Sequence, residues 1–231
     1  MDNLYKYELH VHTKENDIVA HSTGAEIVKM HYENGYSGLV ITNHYFDLFY
    51  EWFKADLIGK DHKGIIDRWL KGYDSAKNEG EKLGFTVLLG AEVRFSGSEN
   101  DYLIYGIEPE FLYCAPLLNT LKNLDELKSI LPSHAVIVQA HPFRDGMTVH
   151  NPKGLFGIET YNGATEMVRN DLADIFATHY DMAKTSGSDY HRPDNFGKGG
   201  IATSKKILTN QDLVQTLKSG EYALIKDGKI I

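Results

Sequence analysis

Two histidines stand one residue apart in the stretch "YELHVHT", which covers residues 7–13. The stretch otherwise has the composition of a β-strand, and side chains alternate between the two faces of an extended chain. His10 and His12 are therefore predicted to share one face, while Leu9 and Val11 share the other. Two neighbouring imidazoles on one strand are suited to binding a divalent metal ion.

Further side chains of metal-ligand type follow other apolar runs of the sequence. Each stands at the predicted end of a strand, where the active sites of βα barrels are assembled. Together with His10 and His12, the set comprises His44, Glu92, His141, Asp189 and His191. Seven such side chains exceed the needs of one tetrahedral zinc ion, so the pattern predicts a cluster of two or three metals. A lone strand-end histidine is more often a hydrogen-bonded core residue, and the inference depends on the coincidence of the whole set.

The chain alternates strand-like and helix-like stretches, which favours a parallel sheet with helices packed outside it. One helix is expected across residues 22–35, with Thr23 and Glu26 in capping-box spacing, and another from about Ile65 to Leu83. Roughly seven βα units in a chain of 231 residues favour a closed barrel over an open sheet. No linker-like segment divides the sequence, so residues 1–231 are predicted to form a single domain.

The composition and charge narrow the classes of partner. The formal net charge of −8 argues against long nucleic acid, whereas a metal-lined pocket would still accept a small phosphorylated substrate. The single cysteine, Cys114, excludes an intramolecular disulfide. The first ten residues lack the basic and apolar regions of a signal peptide, and no apolar run is long enough for a membrane span. A cytoplasmic protein is therefore expected, and nothing in the composition indicates an oligomeric state.

Histidines outside the strand ends are interpreted as solvated residues of helices and loops. They are His31, His62, His134, His150 and His179. The aromatic stretch from Tyr45 to Phe53 is interpreted as packing or a pocket wall, with a lid as the alternative.

Five segments occur in the order of the motifs of the PHP family, which is named for polymerase and histidinol phosphatase. They read "ELHVHT", "GLVITNH", "GAEVRF", "QAHPF" and "SGSDYH", and they span nearly the whole chain. The chain therefore resembles this family. The resemblance implies a distorted (β/α)7 TIM-like barrel that holds two or three divalent metal ions, commonly zinc, manganese or iron. It also implies phosphoester hydrolysis, the usual activity of members that stand alone.

The resemblance also implies a ligand set, carried over by position in the motifs. The implied ligands are His10, His12, Glu92 and Asp189 for a first metal, Glu92 as a bridge together with His141 for a second, and His44 and His191 for a third. Arg144 and Arg94 resemble positions suited to gripping a substrate phosphate, since a guanidinium group offers paired donors to phosphate oxygens. Arg144 is favoured of the two, and a surface salt bridge is the alternative for either.

Three departures from the family pattern affect this ligand set. Asn43 stands where the family often has an aspartate before the second-strand histidine. Members often supply a further ligand shortly after the first motif, and Asp17 or His21 is the candidate here. Members commonly carry a histidine between the glutamate and the "AHP" motif; this sequence has none between Glu92 and His134, and Asp101 or Glu108 is the candidate to replace it.

The ligand set and the resemblance together predict a divalent-metal-dependent phosphoesterase that hydrolyses a small phosphate monoester or nucleotide with a metal-activated water. Glu92 and Asp189 would hold the metals, and Arg144 would neutralise charge on the phosphoryl oxygens. His191 or a water on the third metal would protonate the leaving group. Substrates of the histidinol phosphate or nucleotide type fit this hypothesis. The alternatives are an amidohydrolase-type reaction on a C–N or C–O bond and a non-catalytic metal-binding module.

Overall fold

The computed structural model describes residues 4–231. Its strands are, in chain order, β1 (Tyr5–Val11), β2 (Gly38–Ile41), β3 (His44–Tyr45), β4 (Thr86–Arg94), β5 (Asp101–Tyr105), β6 (Val136–Gln139), β7 (Gly157–Asn162), β8 (Ala183–Gly187), β9 (Ile201–Thr203), β10 (Ala223–Lys226) and β11 (Lys229–Ile230). Its α-helices are α1 (Gly24–Glu33), α2 (Asp47–Trp52), α3 (Lys54–Leu57), α4 (His62–Trp69), α5 (Lys71–Leu83), α6 (Pro109–Cys114), α7 (Leu124–Ile130), α8 (Met167–His179) and α9 (Asn210–Ser219). Short 3₁₀ turns cover Leu118–Thr120, Pro152–Gly154 and Pro193–Asn195.

These strands form one curled sheet. The strand order is β11-β10-β9-β1-β2-β4-β5-β6-β7-β8, and β3 pairs with β4 beside this path. The amide of His12 donates to the carbonyl of Tyr190 at 3.0 Å, and the amide of Tyr190 donates to the carbonyl of His10 at 3.1 Å. These bonds bring the residues after β8 back to the end of β1, so the sheet curls into a half-barrel. The predicted α/β class is confirmed.

The sheet is mixed, whereas the sequence pattern predicts a parallel one. The pairs β1–β2, β2–β4, β6–β7 and β7–β8 are parallel, but β5 runs antiparallel to both β4 and β6. Only residues 95–100 connect β4 to β5, which is too short for the crossover that a parallel pair requires. Arg94 and Asp101 consequently lie directly opposite each other in a hairpin.

Helix α1 begins as predicted, whereas the second predicted helix is divided. The Thr23 hydroxyl accepts a hydrogen bond from the amide of Glu26, and the Glu26 carboxylate accepts one from the amide of Thr23, which completes a capping box. The helix expected from Ile65 to Leu83 is two helices, α4 and α5, separated at Leu70. Helix α4 begins at residue 62 because the Asp61 carboxylate accepts a hydrogen bond from an amide of its first turn.

Strand β1 does not alternate strictly. Its pairing with β2 shifts register between Glu8 and Val11, as a bulge does. Leu9 packs in one hydrophobic cluster and Val11 in another, which differs from the prediction that they share one face. The irregularity lies where the strand delivers His10 and His12 to the site described below.

The interpretation of His31 as a solvated residue is wrong. His31 is fully buried in α1, one helical turn after Ile27, and its Nδ1–H donates to the Ile27 carbonyl at 2.8 Å. The rings of Tyr36 and Phe196 lie 5.0 and 4.9 Å from its ring. Position 31 lies on the apolar face of the helix, and the imidazole packs there with one of its two nitrogens hydrogen-bonded. Of the other four histidines, His134 and His179 are exposed, and His62 and His150 are partly buried.

Within residues 4–231, no helix combines the length and the apolar character that crossing a membrane requires.

Candidate metal centre

The histidines predicted from the strand ends lie together in the structure. The rings of His10 and His12 are 5.0 Å apart, and the ring of His10 lies 5.8 Å from that of His141. The ring of His12 lies 4.1 Å from that of His44 and 4.2 Å from that of His191. Strands β1, β3 and β6 and the residues after β8 deliver these side chains, so separate segments of the chain converge on one centre.

Two histidines and two carboxylates form a first group, consisting of His10, His12, Glu92 and Asp189. Nε2 of His10 lies 3.4 Å from Oε2 of Glu92 and 3.6 Å from Oδ1 of Asp189. Nε2 of His12 lies 3.2 and 3.3 Å from the same two oxygens. A tetrahedral zinc ion with bonds of about 2.0–2.1 Å keeps its ligand atoms about 3.3–3.4 Å apart. These four separations therefore fit metal coordination, and His10, His12 and Asp189 each place a ligand atom within 4.8 Å of the other two.

Buried polar atoms of the first group lack hydrogen-bond partners in the described part of the chain. They are Nε2 of His10, both ring nitrogens of His12 and Oε2 of Glu92. Nδ1 of His44 lies 2.8 Å from that Glu92 oxygen, but without the geometry of a hydrogen bond. Unpartnered buried polar atoms are rare and costly. A metal ion would satisfy both Nε2 atoms and the Glu92 oxygen at once, so the donor set fits the ions that the resemblance implies.

A second group consists of Asp17, His44 and His191. Oδ2 of Asp17 lies 3.3 Å from Nε2 of His44 and 3.2 Å from Nε2 of His191. The other Asp17 oxygen accepts a hydrogen bond from the amide of Val19 at 2.8 Å, which fixes the carboxylate. These separations again match a metal shell, with three protein donors and room for a further ligand. The structure brings Asp17 into the cluster, and the sequence left this position open between Asp17 and His21.

The end of the cluster at His141 differs from the other two groups. Nε2 of His141 lies 2.9 Å from Oε1 of Glu92, and one oxygen each of Asp101 and Asp189 lies 3.9 Å away. Both oxygens of Asp101 accept hydrogen bonds from Arg94, at 2.7 and 2.6 Å. Asp101 is therefore near the cluster but is already paired.

Arg144 contacts the cluster through Asp189. Its Nη2 donates to Oδ2 of Asp189 at 2.7 Å, to the Thr165 hydroxyl at 3.1 Å and to the Asn162 side-chain oxygen at 3.5 Å. The side chain is 37% exposed, and within residues 4–231 its hydrogen bonds all come from Nη2. A guanidinium carries five N–H donors, so donors remain for a substrate anion.

Two of the alternative candidate ligands, His21 and Glu108, lie outside the cluster. The exposed residue His21 meets it only through the backbone, where the His21 amide donates to the carbonyl of His191 at 2.8 Å. The Glu108 carboxylate accepts a hydrogen bond from the side chain of Asn210 at 3.0 Å, and Glu108 precedes helix α6.

Two buried carboxylates behind the ligands were missed by the sequence analysis. Oε1 of Glu159 accepts a hydrogen bond from Nδ1 of His10 at 2.8 Å, and Oε2 accepts one from the amide of His141 at 3.0 Å. Glu8 accepts hydrogen bonds from the amide and the hydroxyl of Ser188. A carboxylate bonded to the second nitrogen of a ligating histidine orients the ring. The available signal was an acidic residue inside each of two otherwise buried strands, "YKYELHV" and "GIETYN".

Two candidate ligands have an unusual backbone conformation. His141 has φ +26° and Asp189 has φ +49°, in the left-handed region that residues other than glycine seldom adopt. Such conformations persist where the surrounding structure determines them, and they are concentrated at functional sites. Both turns aim a side chain into the cluster directly after a strand ends.

The electrostatics of the cluster favour a cation. Burial alone would lower the pKa of His10, but the carboxylates of Glu159, Glu92 and Asp189 raise that pKa well above its usual value. Burial would likewise raise the pKa of Glu92, yet His10 and His44 hold it well below its usual range. Burial, with nearby His44, lowers the pKa of His12 to about 4, so His12 is neutral at pH 7, the form that binds metals.

The aromatic stretch after His44 forms a wall beside the cluster. The ring of Phe46 lies 4.6 Å from that of His44, and Phe46 and Phe49 are buried. A cavity of about 90 Å³ opens next to it, lined by residues that include Phe46, Arg94 and Phe95. The stretch therefore combines packing with a cavity wall.

Comparisons with known proteins bear on this centre. A family model described as PHP-associated matches residues 168–222, which run from α8 to the segment before β10. A search of curated proteins gave no significant match. Solved structures share the fold, including that of a two-domain protein from Bacteroides vulgatus described as containing a predicted PHP-like metal-dependent phosphoesterase. That structure is 17% identical with a TM-score of 0.69, and the match covers 99% of this chain and 66% of the other.

These findings support a PHP-family assignment. A lesion-specific endonuclease from Pyrococcus furiosus is 15% identical with a TM-score of 0.60, over 96% of this chain and 58% of that one. An amidohydrolase from Chromobacterium violaceum, with bound sulfate and no metal, is 15% identical with a TM-score of 0.53, over 81% and 88%. The matches with the Bacteroides and Pyrococcus proteins thus cover about two thirds or less of those two chains. At these identities the likeness shows a shared PHP-type fold.

Proposed function

We propose that this chain is a divalent-metal-dependent phosphoesterase that hydrolyses a small phosphate monoester or nucleotide. The observation that supports it best is the first group, in which two histidines and two carboxylates have the spacing of a metal shell and its buried atoms lack partners. The free guanidinium donors of Arg144, next to Asp189, add a site for phosphate oxygens. Structural neighbours described as a PHP-like metal-dependent phosphoesterase and an endonuclease agree with this chemistry.

The proposal extends to the finer features of the assignment. We propose zinc, manganese or iron as the metals, since histidine and carboxylate donors suit these ions. We also propose that residues 1–231 are one PHP-type hydrolase domain, and that the curled sheet is a distorted (β/α)7 barrel. The bridge that returns the residues after β8 to β1 supports this barrel.

Each residue of the centre has a role in this reaction. His10, His12, Glu92 and Asp189 would hold one metal, and Asp17, His44 and His191 would hold another, with His12 within 4.8 Å of the second set as well. Bound metals would lower the pKa of a water and neutralise charge on phosphoryl oxygens. Arg144 would orient the phosphate through its free N–H groups and stabilise the charge that develops on it. Glu159 would keep the His10 ring in place through Nδ1.

The protonation of His191 depends on whether its group holds a metal. Burial alone would lower its pKa, but the hydrogen bonds with Asp17 and Asp189 raise that pKa to about 10. In the metal-free chain His191 therefore carries a proton at neutral pH, which binding of a metal to its group would release.

The substrate is proposed to be small. The net charge of −8 suits a compact phosphate ester better than a long polyanion. The neighbour from Pyrococcus is a lesion-specific endonuclease, so a DNA oligonucleotide that carries a lesion belongs in the substrate screen. An amide or lactone substrate is the second candidate, since the neighbour from Chromobacterium is an amidohydrolase.

The test is a screen for phosphate release from small phosphate esters, including histidinol phosphate and nucleoside monophosphates, with the full chain loaded with Mn²⁺ or Zn²⁺. We expect release that a chelator abolishes, and none from His12→Ala or Asp189→Ala variants with unchanged circular dichroism. Arg144→Ala should impair phosphate release strongly and leave any amidase activity nearly unchanged. Hydrolysis of amides alone would replace the phosphoesterase proposal, and bound metal without hydrolysis of any substrate would favour a binding module.

A further inference from the structure

We propose that this chain holds two divalent metal ions and that the Arg94–Asp101 ion pair replaces a third ion beside His141. This inference rests on the proposed metal centre and specifies its stoichiometry. The two ions would occupy the first group and the group of Asp17, His44 and His191.

A third ion beside His141 would have few donor atoms that are not shared with the first group. A third ion there could draw on Nε2 of His141 and Oε1 of Glu92, which are 2.9 Å apart. His10 places a ligand atom within 4.8 Å of both, so the three side chains could together hold an ion, but His10 also belongs to the group of His10, His12 and Asp189. Because Nδ1 of His10 is bonded to Glu159, His10 can ligate only one ion, and a third ion would have to take that ligand from the first group.

The second step concerns the carboxylates that would complete such a site. Asp101 and Asp189 each place one oxygen 3.9 Å from Nε2 of His141. That oxygen of Asp101 lies 2.6 Å from Arg94, and that of Asp189 lies 2.7 Å from Arg144. Arginine keeps its charge at all ordinary pH values, so each carboxylate already faces a permanent cation. A divalent ion at the same oxygens would be repelled by both guanidinium groups.

The third step is the rigidity of the pair. Arg94 and Asp101 lie opposite each other across the β4–β5 hairpin, and two hydrogen bonds join them in a bidentate contact. The Asp101 side chain is only 2% exposed, so removing its partner would leave a buried, uncompensated charge. The hairpin register therefore builds a fixed cation into this end of the centre.

The first group and the group of Asp17, His44 and His191 differ from the end of the cluster at His141. Within residues 4–231, no lysine or arginine forms an ion pair with Asp17 or Glu92, whose charged neighbours are histidines. A neutral histidine can ligate a metal, whereas a guanidinium cannot. In the first group Arg144 bonds Oδ2 of Asp189, but Oδ1 still faces His10 and His12. At His141, by contrast, the facing oxygens of Asp101 and Asp189 are both paired with arginine.

The primary experiment counts bound Mn²⁺ on the full chain by plasma mass spectrometry after saturation with Mn²⁺ and gel filtration. Crystals of the same sample would locate the ions by anomalous scattering. We expect two ions per chain and no anomalous peak beside His141. Three ions per chain, or a peak within bonding distance of Nε2 of His141, would overturn the inference.

Two variants test the cause. Arg94→Met frees the Asp101 carboxylate, and we expect the count to rise from two to three at saturating Mn²⁺. Lys205→Met is the control, because Lys205 also pairs with a carboxylate, Glu221, but at an exposed position outside the cluster; its count should stay at two. A count of two in Arg94→Met would show that Arg94 does not exclude the ion.

A third variant serves if Arg94→Met does not fold. His141→Ala should still bind two ions, because His141 ligates neither of them, and a loss of one ion would overturn the inference. These counts require no substrate. A chain that binds three ions and releases phosphate contradicts this inference alone, whereas one that binds two ions and hydrolyses no ester contradicts the proposed function alone.

Discussion

His12 and His31 are both fully buried, and burial lowers the pKa of each to about 4, yet their surroundings differ completely. His12 lies among three other histidines and the carboxylates of Glu92 and Asp189, and neither of its ring nitrogens has a hydrogen-bond partner among the described residues. His31 lies among aromatic rings, and its Nδ1–H bonds a carbonyl of its own helix. Burial and neutrality alone therefore do not indicate a metal ligand; the presence of carboxylates around an unpartnered nitrogen does.

The largest expected effect separates the two histidines by activity. His12→Ala should reduce phosphate release on the order of 10⁴-fold, because it removes a donor from the first group. His31→Gln, whose amide can still donate to the Ile27 carbonyl, should change kcat by less than about twofold, because His31 touches no residue of the cluster. Steady-state assays of both purified variants measure this, and comparable losses in the two would remove the distinction.

Arg144→Ala should lower kcat/KM for a phosphate ester by about 10²–10³-fold, since a charged donor to the phosphoryl group is lost. Arg144→Lys should recover only part of the rate, because a single ammonium cannot replace the fork of donors. Lys205→Ala, which removes an exposed ion pair with Glu221, is the control and should retain the wild-type rate. An unchanged rate in Arg144→Ala would place the phosphate elsewhere.

His31 should make the metal-free protein less stable in acid. Its pKa is about 4 when folded and about 6.5 when unfolded, so above pH 6.5 both states are neutral and stability is complete. As the pH falls from 6.5 to 4, only the unfolded state gains the proton, and the free energy of unfolding drops by up to about 3 kcal/mol. Urea unfolding across this range should show a smaller drop in His31→Gln than in wild type, and equal drops would refute the assignment.

Glu159→Gln should weaken metal binding about 10–100-fold while leaving the ligands in place. Its carboxylate orients His10, and an amide accepts the Nδ1–H bond less strongly. Competition with a chromophoric chelator measures the affinity without any turnover. Glu79→Gln, at a carboxylate paired with lysines far along α5, is the control, and an equal loss there would indicate a general effect.

The principal candidate ligands were predictable from the sequence, because each follows an apolar strand and these strands lie side by side in the sheet. The sequence did not distinguish Asp17 from His21 as the further ligand, because the conformation of the loop after β1 decides which side chain points into the cluster. The pairing of Arg94 with Asp101 depends on the register of the β4–β5 hairpin, which periodicity does not specify. Glu8 and Glu159 went unrecognised because an acidic residue inside a strand reads as solvent-facing until both faces are known to be buried.

The burial of His31 was missed for a related reason. Histidine ranks between apolar and polar residues in its tendency to be buried, and α1 places it on the stripe of Ile27 and Val28. The helix predicted across residues 22–35 includes position 31, and the four-residue spacing from Ile27 was the available signal of its burial.

Phosphate release during titration of the metal-free chain with Mn²⁺ tests the central claim most directly. We predict no release without metal, a rise with added Mn²⁺, and a plateau at two equivalents per chain. Release by the metal-free chain, or none from any phosphate ester at saturating Mn²⁺, would contradict a metal-dependent phosphoesterase at this cluster.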